Sequence, residues 1–177
     1  MRNSSAINHS IGFTLVELIV VVILIGILAV TVAPRIQSGG GVAEYTYQAR
    51  LISSLRTMQQ RAMNDTRDGF CFQVNVFTDA NSSFGPPTLT YSNTNKTLSC
   101  SSTIDTSESA EYVVANIDEM LADNVTITSG GGSIKFNRFG CPDTGNGFCA
   151  NNVEVIFQGE STVGVCIESQ GYIHACD

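Results

Sequence analysis

Hydrophobic positions crowd the start of the chain. From Leu18 to Ala33 every residue except Thr31 is apolar, and Pro34 and Arg35 close the run. A helix over Phe13 to Ala33, rising ~1.5 Å per residue, is long enough to cross the ~30 Å hydrocarbon core of a bilayer. Val, Ile and Leu occupy all of its faces, so no polar stripe marks it as one side of a soluble domain. Gln37-Ser38-Gly39-Gly40-Gly41 then breaks the pattern, and three consecutive glycines, each costing a helix roughly 1 kcal/mol relative to alanine, predict a hinge or a linker. From Glu44 to Asn64 the helical period returns, with Tyr45, Gln48, Leu51/Ile52, Leu55, Met58 and Ala62 predicted on one buried face and arginines between them. Asp65-Thr66-Arg67-Asp68-Gly69 supplies the stop.

After Gly69 the period shortens to two. Phe70 to Phe77 alternates and predicts a strand, Gly85-Pro86-Pro87 a turn, and Thr88-Leu89-Thr90-Tyr91 a second extended stretch. Ser92 to Ser109, rich in Ser, Thr and Asn, predicts a surface loop. Glu111 to Asp123 fits a short helix. Val125 to Thr128 and Ser133 to Asn137, on either side of Gly130-Gly131-Gly132, predict a hairpin. Val153–Phe157, Thr162–Glu168 and Tyr172–Cys176 predict a meander with turns near Gly159 and Gly171.

Two features of the first segment go beyond a generic anchor. Glu17 lies near the start of the apolar run, where an ionised side chain costs up to roughly 2.5–3.5 kcal/mol at mid-bilayer and needs a partner. The polar stretch Met1 to Gly12 meets the apolar run at a small residue, whereas a secretory signal has its small-residue cleavage site after the apolar stretch. A cut after Gly12 leaves the hydrophobic helix on the mature protein. Gly12-Phe13-Thr14-Leu15-Val16-Glu17-Leu18, with the apolar run behind it, resembles the processing motif of type IV pilins and type II secretion pseudopilins across Gly12 to Arg35. The resemblance implies cleavage by a prepilin peptidase between Gly12 and Phe13 and methylation of the new amine of Phe13. It also implies that Glu17 pairs with the N-terminal amine of a neighbouring subunit during assembly, and that Gly26 and Pro34 are helix-bending positions.

Charge and cysteine content sharpen the picture of the remainder. Overall the chain carries −7, but from Gly69 onward Lys96, Lys135 and Arg138 face twelve acidic residues, a net −9. Such a head lacks the positive surface that releases phosphate counterions, which argues against nucleic acid as a partner. Arg50, Arg56, Arg61 and Arg67 instead gather along the second helical segment, either solvated or facing the acidic heads of neighbouring subunits. Cys71, Cys100, Cys141, Cys149, Cys166 and Cys176 all follow the anchor, which predicts disulfides in an oxidising periplasm. Of about fifteen possible pairings, proximity favours Cys141–Cys149 and Cys166–Cys176, leaving Cys71–Cys100.

No chemistry-bearing constellation stands out. With His9 in the leader, His174 is the mature chain's remaining histidine, too little for a histidine triad or a multi-histidine metal site. There is no C-x-x-C, P-loop or G-x-G-x-x-G. Asp143 and Asn146, between Cys141 and Cys149, offer hard oxygens for calcium, yet with fewer carboxylates than a calcium loop uses; a disulfide-closed surface loop is the simpler expectation. No enzyme activity, cofactor or metal is expected.

Two looser resemblances concern the head. Ile134 to Gly140, Val153 to Phe157 and Val163 to Ile173 resemble the C-terminal half of protein-H-like minor pseudopilins, and Glu44 to Leu51 with Met58 to Met63 resembles a minor pilin of the mannose-sensitive haemagglutinin (MSHA) pilus. Together these imply an α+β type IV pilin fold, a long N-terminal helix on an antiparallel, disulfide-bonded β head. The expected organisation is a leader at 1–12, a transmembrane and filament-core helix at 13–38, a glycine hinge and amphipathic helix at 39–68, and a periplasmic head at 69–177. The expected function is that of a minor pilin, anchored in the inner membrane and assembled into a pilus for attachment, with a type II secretion pseudopilin as the alternative and a DNA-uptake pilin behind both. The partners implied are other pilin subunits, prepilin peptidase and an inner-membrane assembly platform.

Overall fold

The structure, a computed structural model, describes residues 13–37, 41–65, 71–87, 100–106, 113–143 and 147–176. It divides into one unit up to Gly39 and a second from Gly40. In the first, helix α1 spans Leu15–Gln37.

The second unit is built on helix α2, Ala43–Asn64. Good helix formers (Ala, Leu, Met, Gln, Arg) fill it, with Glu44 in the first turn and Arg61 in the last to complement the macrodipole. Tyr47, Leu51, Leu55, Met58 and Ala62, at steps of three and four, are all buried. The expected Tyr45 is exposed instead, because it lies six residues before Leu51 on the opposite side of the helix from the stripe, whereas Tyr47 lies one turn before it. The helix stops at Asp65, which is extended while its N–H still donates to the Arg61 carbonyl at 2.9 Å.

Among the described residues, two four-stranded antiparallel sheets join α2 in this unit, giving an α+β architecture. The first contains β1 (Gln73–Phe77), β2 (Ser83–Gly85), β4 (Gly132–Phe136) and β5 (Pro142–Asp143) in the order β2-β1-β4-β5. The second contains β3 (Thr126–Ser129), β6 (Val153–Gln158), β7 (Thr162–Ile167) and β8 (Ile173–Cys176) in the order β3-β6-β7-β8. Alternate residues of both sheets meet the α2 stripe in one core: Val74 opposite Ile134, Val155 opposite Val165, Phe157 opposite Val163, with Phe84 edge-on to Phe157 at 5.9 Å. β1 is buried on both faces. Its polar positions Gln73 and Asn75 donate to the Ser101 carbonyl, and Asn75 also to that of Thr103, so residues 100–106 cover the sheet there.

Three sequence expectations are corrected. β3 and β4 are not a hairpin: β3 pairs with β6 and β4 with β1 and β5, in different sheets. Gly130 and Gly132, at φ +82° and +130°, swing the chain across, and a Cβ at Gly130 would lie 2.3 Å from the Glu154 carbonyl. Of the helix expected over Glu111 to Asp123, the described residues form only α3, Ile117–Ala122. Asn116 caps it, its Oδ1 accepting the Glu119 N–H at 2.9 Å, while Ala115 is extended and exchanges two backbone hydrogen bonds with Phe84. Gly85-Pro86-Pro87 is not a free turn, since Gly85 ends β2, the Pro86 carbonyl accepts the Asp105 N–H and Pro87 bridges Ile104. The stretch expected at Thr88 to Tyr91 lies outside the described residues, as do Gly39 and Gly40 of the hinge. The meander over β6, β7 and β8 is present as expected.

Candidate functional site

The N-terminal segment carries the residues that the sequence singles out. Gly12 lies outside the described residues; Phe13, at 80% exposure, stands just before α1. The start of that helix is set by Thr14, whose Oγ1 accepts the Glu17 N–H at 3.2 Å while its carbonyl accepts the Leu18 N–H, also at 3.2 Å. Sequence reasoning passed over this cap, although Thr14-x-x-Glu17 has the capping-box spacing that signals it. Glu17 falls in the first turn, one turn beyond Phe13, where the helix macrodipole favours a negative charge. Its side chain is exposed, and among the described residues the carboxylate makes no hydrogen bond or ion pair.

Around it the described side chains from Phe13 to Leu28 are all exposed. Counting only those side chains, no helix is long and apolar enough to cross a membrane. The backbone of α1 continues to Gln37, 23 residues in all, or ~35 Å at the α-helical rise.

In the second unit the six cysteines form three disulfides. Cys71–Cys100 ties the segment over β1 to the strand's entrance, Cys141–Cys149 closes a surface loop, and Cys166–Cys176 staples β7 to β8. Glu154 approaches the last pair, but its sulfurs are bonded to each other and offer no thiolate. In the Cys141–Cys149 loop, Asp143 Oδ1 accepts the Gly147 N–H at 2.9 Å, holding the turn, and Asn146 lies outside the described residues. His174 is a β8 residue stacked on Tyr172, with centroids 4.8 Å apart.

The arginines of α2 are turned inward to their own head more than a solvated face implies. Arg50 pairs with Glu119 and donates to the Val114 carbonyl, and Arg56 donates to the Ile173 carbonyl at 2.8 Å. Beside Arg50, the Tyr47 hydroxyl donates to Asp123 Oδ2 at 2.6 Å; burial, reinforced by that bond, raises its pKa. These contacts clamp both ends of α3 to the helix.

Glu44, 1% exposed, was read from sequence only as the start of a helix. Its Oε1 accepts the Ser161 N–H at 2.9 Å in the β6–β7 turn. Burial works to raise its pKa, but the backbone N–H groups of Ser161, Glu44 itself and Glu160 outweigh it, and the net direction is down. The acid thus fastens the first turn of α2 to the sheet.

Against known proteins, a family model described as a prokaryotic N-terminal methylation motif matches residues 7–33, which span Gly12, Phe13 and Glu17. No curated protein and no solved structure matches the chain. The methylation motif, at the head of an exposed apolar helix, indicates a type IV pilin-like or pseudopilin protein.

Proposed function

We propose that the chain is a non-enzymatic minor type IV pilin, similar to those of the MSHA pilus. It is made as a prepilin, cut between Gly12 and Phe13 and methylated on Phe13. α1 then holds it in the inner membrane with the head in the periplasm, until an assembly platform moves it into a filament used for surface attachment. The observation that carries this is the methylation motif on a helix whose described apolar side chains from Phe13 to Leu28 are exposed and whose Glu17 carboxylate, among the described residues, makes no ion pair. Each large apolar side chain gains about 1.5–3 kcal/mol when taken out of water, so α1 needs lipid or other helices around it. In either surrounding an unpaired carboxylate is costly, and the free amine of a neighbour's Phe13 is of the right charge to offset it. Within one chain the amine sits at a frayed helix start, where it is poorly held.

A second reading, a type II secretion pseudopilin that aids export, draws support from the protein-H-like pattern carried by β4 and β6 to β8. The head's net −9 disfavours DNA uptake. N-terminal mass spectrometry of the protein recovered from membranes tests the processing step. It is expected to find methylated Phe13; an intact Met1, or a cut beyond Ala33, refutes it.

A further inference from the structure

The outward face of the second sheet brings together three side chains of metal-ligand type. Its inward face is core, carrying Val155, Val163, Val165, Ile167 and Ile173. Register sets Glu154 on β6 opposite Cys166 on β7, and Cys176 on β8 opposite Gly164, two residues before Cys166. Because alternate strand residues share a face, Glu154, Cys166 and Cys176 all lie on the side away from the core. A carboxylate oxygen of Glu154 and the two sulfurs stand within 4.8 Å of one another.

While the sulfurs are bonded to each other they offer no thiolate, the form that binds a metal. Reduction changes this, and of the three disulfides this pair is the one in which neither cysteine is buried. Cys71 and Cys141 are 3% and 8% exposed, whereas Cys166 and Cys176 are both partly exposed, so a reductant meets their bond first. Opening it does not scatter the three groups, because the ladders position them. β6 pairs with β7 from Val153↔Ile167 to Gln158↔Thr162, and β7 with β8 from Gly164↔Cys176 to Ile167↔Ile173. The turn between β7 and β8 is closed by the Glu168 N–H on the Tyr172 carbonyl at 2.8 Å and the Gly171 N–H on that of Glu168 at 2.7 Å. The Cα atoms of Cys166 and Cys176 are 5.8 Å apart. Two thiolates on neighbouring strands with a carboxylate beside them suit a tetrahedral ion bound at ~2.3 Å to sulfur and ~2.0–2.2 Å to oxygen, whose ligand atoms stand about 3.5 Å apart.

Sulfur donors select zinc over calcium and magnesium, which take oxygen ligands. His174, opposite Cys166 in the same row, is engaged elsewhere: its Nδ1 lies 2.9 Å from the Ala175 carbonyl and its Nε2 3.4 Å from Glu168 Oε1. The fourth position is left to water. We propose that the Cys166–Cys176 bond masks a zinc site, which Cys166, Cys176 and Glu154 form once a thiol or phosphine reductant has opened it. A dithiol closing to its own disulfide gives the bond two electrons and two protons; a phosphine takes the oxygen of a water and leaves its two protons on the sulfurs. Zn2+ then releases both thiol protons to water as two Zn–S bonds form. β8, at the sheet's edge, is tied to β7 by the disulfide in one state and by the ion in the other. The site is independent of the assembly role proposed above.

The test is Co2+ titration of the full chain in detergent micelles, since Co2+ accepts the same ligands as zinc and sulfur ligation gives it a charge-transfer absorption band. Without reductant the band is expected to be absent. After a phosphine it is expected to appear at one ion per chain and to be bleached by Zn2+. Glu154→Gln is expected to weaken binding by at least about tenfold, and Cys166→Ser with Cys176→Ser to remove the band. Cys141→Ser with Cys149→Ser, which deletes the pair in the surface loop, is expected to change nothing. Should reduction unfold the head by circular dichroism, added Zn2+ is expected to restore the β-sheet signal in the parent and not in Glu154→Gln. The proposal is overturned if the band appears without reductant or fails to appear after it, or if it survives loss of Cys166 and Cys176. It is equally overturned if it depends on Cys141 and Cys149, if Glu154→Gln binds as the parent does, or if Zn2+ leaves an unfolded head unfolded.

Discussion

Gly159→Ala perturbs the fastening of α2 to the second sheet without touching either element's regular backbone. Gly159 is not in the left-handed region, so alanine is conformationally allowed, but its Cβ would lie 2.3 Å from Glu44 Oε1 and 2.9 Å from Cδ. The carboxylate must leave its seat, and the hydrogen bond from Ser161 N–H is lost. A hydrogen bond to a charged group is worth about 1.5–3 kcal/mol, and crowding adds about 1 kcal/mol, so the variant should lose roughly 2–4 kcal/mol. For a unit running from Gly40 to Asp177, unfolding entropy makes this a fall in Tm of about 7–14 °C. Glu44→Ala alone should cost about 2 kcal/mol, since it surrenders the same bond but also relieves the burial of a carboxylate. On that background the obstructing atoms are gone, and Gly159→Ala should cost under about 1 kcal/mol, a coupling of about 1–3 kcal/mol. The assay is thermal unfolding of the full chain in detergent, followed by far-ultraviolet circular dichroism for the four members of the cycle. Additive losses would refute the assignment of Glu44 as the fastening group.

Acid provides a second view of the same residue. Its folded pKa lies below the unfolded value, so its stabilisation is complete above the ordinary carboxylate range and disappears as pH falls through the folded pKa. Denaturation midpoints measured downward from pH 5 should therefore decline less steeply in Glu44→Gln than in the parent. Chain entropy ranks the disulfides: replacing Cys71 and Cys100 together by Ser should cost about 3.5 kcal/mol for a separation of 29 residues, against about 2.5 kcal/mol for Cys141 and Cys149 at a separation of 8. Denaturant midpoints test the order, and equal losses would remove loop closure as the main effect.

Local patterns in the sequence foretold the local elements. α2 was legible because Leu51, Leu55, Met58 and Ala62 repeat at helical steps, and the β6–β8 meander because its alternation is punctuated by turn residues. Pairing by proximity anticipated Cys141–Cys149 and Cys166–Cys176, each joining points that short turns bring together. What was missed depends on non-local partners. Three glycines between two short strands look the same whether they close a hairpin or carry the chain between sheets; the outcome was decided by β6 and β1, which offer Phe157 to Ile127 and Val74 to Ile134. β2 was hidden because three residues beside two prolines carry no period of their own. From the sequence Glu44 marks only the start of a helix; the N–H groups that the β6–β7 turn places around it come from residues more than a hundred positions away. At the N-terminus the methylation motif was legible in the sequence, while the Thr14 cap was written there and overlooked.

The central claim is that Glu17 serves assembly, not folding or insertion. Its carboxylate is exposed and unpaired among the described residues, and removing a charge makes membrane insertion easier. Glu17→Val, expressed as the sole copy and followed by immunoblot of membrane and sheared-filament fractions, tests this directly. The variant should reach the membrane at the native level, with its head disulfides formed, and be missing from filaments. Entry into filaments at the native level would contradict the account.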